Sequence, residues 1–146
     1  MDRELLIKWW TESWNDGLWA APWAKAIVGL TPQQAAAQPA PGRHSIWQIV
    51  NHMIFWRENV LAQVAGKPKA DAAEVERRNW EMPAQISQAA WDAARERLAQ
   101  TQRDVAAAFA DPGRPVERIA YFLPHDCYHI GQIMYVRAWL GLPSIE

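Results

Sequence analysis

The sequence predicts an all-α protein, a four-helix bundle whose helices are joined by connections long enough to cross over. Apolar residues recur at the helical period of about 3.6 residues, no alternating strand pattern persists, and capping residues precede the apolar runs. A chain of 146 residues is long enough for one domain with its own core. We therefore expect residues 1–146 to form a single helical bundle domain.

The first predicted helix begins after Asp2, a residue type that caps helices. Its apolar stripe is unusually wide and consists of Leu5, Leu6, Trp9, Trp10, Trp14 and Leu18. Pro22 either kinks this helix or starts a short second piece that ends at Gly29. The stripe is wider than one core face requires, so this surface also predicts a homodimer.

Two capping-box patterns follow, at residues 31–34 and 45–48. The first opens only a short turn, because prolines soon interrupt it. The second opens a long helix that should run over residues 46–65, before a Gly and a Pro that end it. Its buried stripe is predicted to contain Ile46, Ile49, Val50, Met53, Val60, Leu61 and Val64.

The sequence of the second half of the chain predicts a long connection followed by two more helices. Residues 67–85 are rich in charged residues and are interrupted by prolines. We expect them to cross the surface with Trp80 and Met82 pointing inward. A third helix should begin at Ser87 and end before an Asp-Pro-Gly turn. The last helix contains Pro124, where it either begins afresh or continues with a kink.

Three histidines form the candidate site. His125 and His129 lie four residues apart on the last helix, so they differ by about 40° around its axis and about 6 Å along it. His52 lies in the second turn of the long second helix. Imidazoles are the usual nitrogen ligands of zinc and its neighbours, and three of them leave room for water or substrate. His44 precedes the helix cap and is predicted to be an exposed loop residue.

Four side chains near these histidines are predicted from their helical positions to line a substrate pocket: Trp56, Asn59, Tyr128 and Gln132. Cys127 lies about 200° around the helix from His125, which argues against its being a ligand or a nucleophile.

Two segments carry a resemblance to a known family. Residues 44–52, His-Ser-Ile-Trp-Gln-Ile-Val-Asn-His, and residues 125–133, His-Asp-Cys-Tyr-His-Ile-Gly-Gln-Ile, resemble the DinB/YfiT-like superfamily, and the resemblance spans nearly the whole chain. It implies a four-helix bundle in which His52, His125 and His129 bind a divalent cation, often zinc or nickel. It also implies a homodimer. Some relatives join a low-molecular-weight thiol, such as bacillithiol or mycothiol, to an electrophile, and others use a thiol as cofactor.

Three functions are compatible with these residues. The leading hypothesis is a metal-dependent thiol S-transferase that acts on a small-molecule substrate. The second is a metal-dependent hydrolase, because His-Asp-Cys-Tyr-His is similar to the His-Glu-x-x-His pattern of zincins. The carboxylate of Asp126 is one methylene shorter than the glutamate of that pattern, which argues against this hypothesis. The third is a non-catalytic module that binds a metal or a small molecule.

Composition excludes several other classes. The net charge of −1 is unlike the basic footprint of a nucleic-acid binder, and no run of about 20 apolar residues predicts a membrane span. The N-terminal residues lack the basic-then-apolar layout of a secretory signal. The single cysteine suits a reducing compartment, so we expect a cytoplasmic protein.

Overall fold

A computed structural model describes residues 2–145, and this part of the chain contains helices and no strands, which confirms the all-α class. The helices are α1 (Arg3–Asn15), α2 (Trp23–Ala26), α3 (Pro32–Ala36), α4 (Ile46–Val64), α5 (Ala72–Arg78), α6 (Gln88–Ala110), α7 (Val116–Ala120) and α8 (Phe122–Trp139). Helices α1, α4, α6 and α8, of 13 to 23 residues, correspond to the four predicted from sequence. Among the described residues, none of the helices is long and apolar enough to cross a bilayer.

The predicted caps are confirmed. The Asp2 carboxylate accepts a hydrogen bond from the Leu5 amide at the start of α1. Ser45 and Gln48 form a complete capping box, in which each side chain accepts from the other residue's backbone N–H. Because these bonds satisfy N–H groups that have no partner within the helix, they fix where α4 begins. They thereby fix which side chains its second turn presents.

The first helix is shorter than its apolar stripe predicts. It ends at Asn15, and Leu18 lies in the turn beyond it. The chain reverses at Gly17, whose φ is +68°, and a Cβ added there would lie 2.0 Å from the Ala20 carbonyl oxygen. Only glycine fits this position. Pro22 starts a separate short helix and does not kink α1.

The connection over residues 67–85 was predicted without a helix, but it contains α5. This helix escaped the prediction because it buries no residue and is held by charged side chains instead. Arg78 pairs with Glu74 at 2.8 Å and with Glu58 of α4 at 3.2 Å. The inward orientation predicted for Met82 is wrong, since this side chain is exposed, whereas Trp80 is half-buried and packs against the core.

Pro124 is the third residue of α8, which begins at Phe122 after a break at Tyr121. The last helical segment therefore starts afresh, two residues before the proline. In the first turn of a helix the backbone N–H groups have no intrahelical partner, so the missing N–H of proline costs little there. Helix α8 then continues without a kink-inducing residue through both histidines.

The core lies between α1, α4, α6 and α8, and large aromatic rings fill much of it. Trp10 is completely buried and packs edge-on against Trp23 and Phe109. Trp91 is also fully buried and packs against Trp47. These rings hold α1 and α4 against α6, and α4 also packs against α8, which is the arrangement that the histidine site needs.

Candidate metal site

The structure brings the three predicted histidines together at the facing surfaces of α4 and α8. One ring nitrogen from each of His52, His125 and His129 lies within 4.8 Å of the other two. The Nε2 atoms of His52 and His125 are 3.2 Å apart. His52 and His129 are buried, and His125 is partly exposed. The site therefore opens to the surface on the His125 side of the cluster.

The second ring nitrogen of each histidine is held by an oxygen of a neighbouring side chain. His52 Nδ1 lies 2.7 Å from Asn79 Oδ1, and His125 Nδ1 lies 2.7 Å from Asp126 Oδ1. For the third histidine, His129 Nδ1 lies 2.7 Å from Gln132 Oε1. All three histidines thus use Nδ1 for a local hydrogen bond and leave Nε2 for the centre of the cluster.

These bonds determine where the imidazole protons are. Trp56 Nε1 donates to Asn79 Oδ1 at 2.8 Å, so the Asn79 atom is an acceptor and His52 must donate from Nδ1. Asp126 accepts from Arg57, so its carboxylate must also accept from His125 Nδ1. In the neutral imidazole, Nε2 then carries a lone pair and no proton.

This protonation pattern fits a bound cation. Two Nε2 lone pairs that face each other at 3.2 Å repel, unless a positive charge lies between them. Zinc–nitrogen bonds of about 2.0–2.1 Å with tetrahedral angles place two ligand nitrogens roughly 3.3 Å apart. The Nε2 atoms of His52 and His125 already have this spacing, and the third histidine also places a ring nitrogen within 4.8 Å, so the three can close on one metal ion.

Burial favours the neutral, metal-binding form of two of the histidines. It lowers the pKa of His52 to about 4, with a smaller contribution from the nearby His129 ring. Burial lowers the pKa of His129 as well, partly offset by its hydrogen bond to Gln132. Both rings are consequently neutral at neutral pH without any metal present, with their one proton on Nδ1.

A fully buried ion pair supports the site from the core side. The Arg57 guanidinium contacts Asp126 Oδ2 through Nε at 2.8 Å and Nη2 at 2.7 Å, and neither side chain is exposed. Arg57 also donates to Thr101 Oγ1 and lies 4.9 Å above the Trp10 ring. Asp126 is thus fixed by the core on one side, and on the other it orients the His125 ring.

The indole ring of Trp80 covers one face of the His52 imidazole. Trp80 stacks on the His52 imidazole at 3.8 Å between centroids, and His44 stacks on the opposite face of Trp80, also at 3.8 Å. His44 is therefore half-buried instead of exposed as predicted. Its ring is separated from the cluster by the indole of Trp80, and it is not part of the group of potential ligands.

The four predicted pocket residues take two different positions. Tyr128 and Gln132 line a cavity of about 660 Å³ beside the histidines, and Cys127 lines it too. Trp56 does not line this cavity and instead holds Asn79 in place. The Asn59 side-chain oxygen accepts from the Ala70 amide and ties α4 to the connection that follows. Burial raises the pKa of the Cys127 thiol, so it stays protonated at neutral pH.

Sequence reasoning missed Arg57, Asn79 and the stacking role of Trp80. A signal for Arg57 was present: it falls four residues after Met53 and seven after Val50, so a charged residue interrupts the apolar face of α4. No comparable signal marks Asn79, which follows α5 in a connection without helical periodicity.

A family model described as the DinB superfamily matches residues 20–133, which is more than half of the chain and includes all three histidines. No curated protein and no solved structure matches the sequence significantly.

Proposed function

The chain belongs to the DinB superfamily, and we propose that it binds one divalent metal ion, zinc or nickel, through His52, His125 and His129 and acts as a thiol S-transferase. In this reaction class the thiol loses its proton and its sulfur forms a bond to an electrophilic carbon. The electron pair of the bond that breaks at that carbon departs with a leaving group or, in an addition, takes up a proton. We also propose that it acts in the reducing cytoplasm, which suits its single cysteine.

The observation that carries the proposal is the open ligand set. Among residues 2–145, three histidines converge and no cysteine, aspartate or glutamate joins them as a fourth ligand. Three protein ligands are typical of catalytic sites, whereas structural zinc sites are closed by four. A divalent ion bound there would supply a position for a thiol sulfur and favour its thiolate form. The protein's own contribution is to orient the three imidazoles and, by burial, to keep His52 and His129 neutral.

The geometry of Asp126 counts against a zincin-like hydrolase. In that mechanism the carboxylate after the first histidine must be free to act on a metal-bound water. Both oxygens of Asp126 are already engaged, Oδ1 by His125 and Oδ2 by Arg57. Asp126 is also completely buried, so it positions a ligand and is not placed to serve as a general base.

We predict that a small thiol gives the cobalt-substituted protein a new charge-transfer band in the near ultraviolet. A dication with three neutral ligands favours an anionic fourth ligand, and thiolate suits a borderline-soft ion. The band should be absent in His129→Ala and present in His44→Ala. No band with any of several thiols, together with metal-dependent ester hydrolysis, would overturn the transferase proposal in favour of a hydrolase. If neither the thiol band nor ester hydrolysis is observed, the non-catalytic binding module is the remaining function.

We also propose that the protein is a homodimer and that a second copy covers the N-terminal half of α1. Leu5 and Trp9 are exposed there, at 38% and 41%, beside an apolar groove lined also by Leu123 and Pro124. Light scattering at micromolar concentration should give the mass of a dimer, and Trp9→Glu should give a monomer. Trp19→Glu, which changes an exposed tryptophan outside this groove, should remain dimeric. A monomer mass for the unmodified chain, independent of concentration, would contradict this.

A further inference from the structure

The cavity beside the histidines has the size of a small-molecule site. Its volume is about 660 Å³, and its walls come from the segment before α4, from the first turn of α4 and from one face of α8. Most of its lining is apolar, including Ile49 and Val136, with the phenol ring of Tyr135 at its side. Cavities of this volume and character bind ligands the size of one or two aromatic rings.

Gly131 keeps the floor of this cavity open. It lies in the interior of α8, where glycine disfavours the helix relative to alanine. Its φ is not positive, and an added Cβ would meet no atom within 4 Å, so neither backbone conformation nor close packing requires a glycine. What the missing side chain provides is space inside the cavity. A residue that weakens its helix and leaves a cavity open points to a ligand in that space.

The cavity carries one positive charge and no negative one. Arg43 lines it, and no aspartate or glutamate is among its lining residues. Within residues 2–145 the Arg43 guanidinium has no hydrogen-bond or ion-pair partner; only its backbone N–H is engaged, by Ala40. His44 also lines the cavity, but burial lowers its pKa, so it is neutral at neutral pH. An unpaired guanidinium at the edge of an apolar cavity favours an anion with an apolar body.

The cavity adjoins the histidine cluster through two side chains. Gln132 lines it and is hydrogen-bonded to His129 Nδ1, while the Tyr128 hydroxyl accepts from Gln132 Nε2 at 3.1 Å. His52, His125 and His129 are not among the residues that line the cavity. A ligand held here would lie one side chain away from the cluster, within reach of it on the side of Gln132.

We infer that this cavity binds a small molecule with an apolar body and an anionic group, and that Arg43 pairs with the anion. Binding of such a molecule to the cavity is independent of the proposed function. The further statement that this molecule is a substrate, held by its non-reacting part, rests on the proposed function. The anion can belong either to the electrophile or to the thiol, and the experiments below distinguish the two.

The test uses a pair of probes that differ only in charge, 2-naphthoate and 2-naphthamide, titrated by calorimetry into the metal-free full chain. The unmodified protein should bind the carboxylate at least about tenfold more tightly than the amide, as expected for one charge-assisted contact. Arg43→Gln should remove this preference, and Arg43→Lys should retain part of it. Arg77→Gln is the matched control, because Arg77 is an exposed arginine on α5, outside the cavity.

The position of the bound probe can be read from Cys127, the only cysteine of the chain and a residue of the cavity wall. Saturating 2-naphthoate should slow alkylation of Cys127 by iodoacetamide at least about fivefold, in proportion to occupancy of the cavity. Gly131→Leu should abolish binding of both probes, because its side chain would fill the space. Equal binding of the two probes, equal effects of Arg43→Gln and Arg77→Gln, or no protection of Cys127 would each overturn the inference.

The cobalt protein then assigns the anion. If 2-naphthoate suppresses the thiol-induced band, the cavity holds the thiol's own anionic group; if both bind together, it holds the electrophile's. If the unmodified protein shows the thiol band but does not bind 2-naphthoate, this inference alone is overturned and the proposed function stays intact.

Discussion

Replacing His129 with alanine should lower the affinity of the protein for zinc by at least about a hundredfold, because loss of a residue that merely orients a ligand already costs about 10–100-fold. His129 provides one of the three ligand nitrogens that converge within the described part of the chain, and the two remaining ones cannot fix a tetrahedral ion. His52→Ala and His125→Ala should have effects of the same size. Competition with a chromophoric chelator measures the affinities, and elemental analysis of untagged protein gives the stoichiometry.

The matched control for these variants is His44→Ala. His44 is a half-buried histidine of the same region, but the Trp80 ring separates it from the cluster. Its removal should leave zinc affinity within about threefold of the unmodified protein, since it only changes the packing of an indole that covers His52. A loss of metal in His44→Ala equal to that in His129→Ala would show that the three-histidine assignment is wrong.

The sequence was sufficient to predict the elements that depend on local chemistry. Helix α4 begins where Ser45 and Gln48 cap it, and the four-residue spacing of His125 and His129 places both rings on one side of α8. Hydrogen bonds between neighbours in sequence and helical periodicity are both read directly from residue order. These two features place His52 in the second turn of α4 and the other two histidines on one side of α8. The expectation that the three meet at one metal came from the resemblance to the DinB/YfiT-like superfamily.

What escaped prediction depends on contacts between distant parts of the chain. Arg57 and Asp126 are 69 residues apart, and nothing local to either residue indicates its partner. Asn79 follows a short helix that buries nothing, and it reaches His52 because that helix is held to α4 through Glu58. Such contacts depend on how the helices pack, and periodicity does not determine packing. Therefore the potential metal ligands were found from sequence, and the residues that orient them were not.

Replacing Arg57 with methionine should lower the free energy of unfolding by about 3–5 kcal/mol, because it breaks a buried ion pair by removing one partner. Arg57 and Asp126 have no exposed surface, so the variant leaves a buried carboxylate without its counter-charge. Asp126→Asn should cost a similar amount by leaving the guanidinium unpaired. Denaturant unfolding of the metal-free proteins measures both free energies. Arg97→Met is the matched control: it breaks an ion pair with Glu58 at the surface and should cost at most about 1 kcal/mol.

The double variant Arg57→Met/Asp126→Leu separates stability from metal binding. Replacing both buried charges with apolar side chains removes the uncompensated charge, so its stability should exceed that of either single variant. Its zinc affinity should nevertheless remain about 10–100-fold below that of the unmodified protein, because nothing then accepts a hydrogen bond from His125 Nδ1 and fixes that ring. If stability and zinc affinity recover together, the ion pair serves only the fold. If stability recovers and affinity does not, the same pair that is buried in the core also determines the orientation of a ligand at the surface.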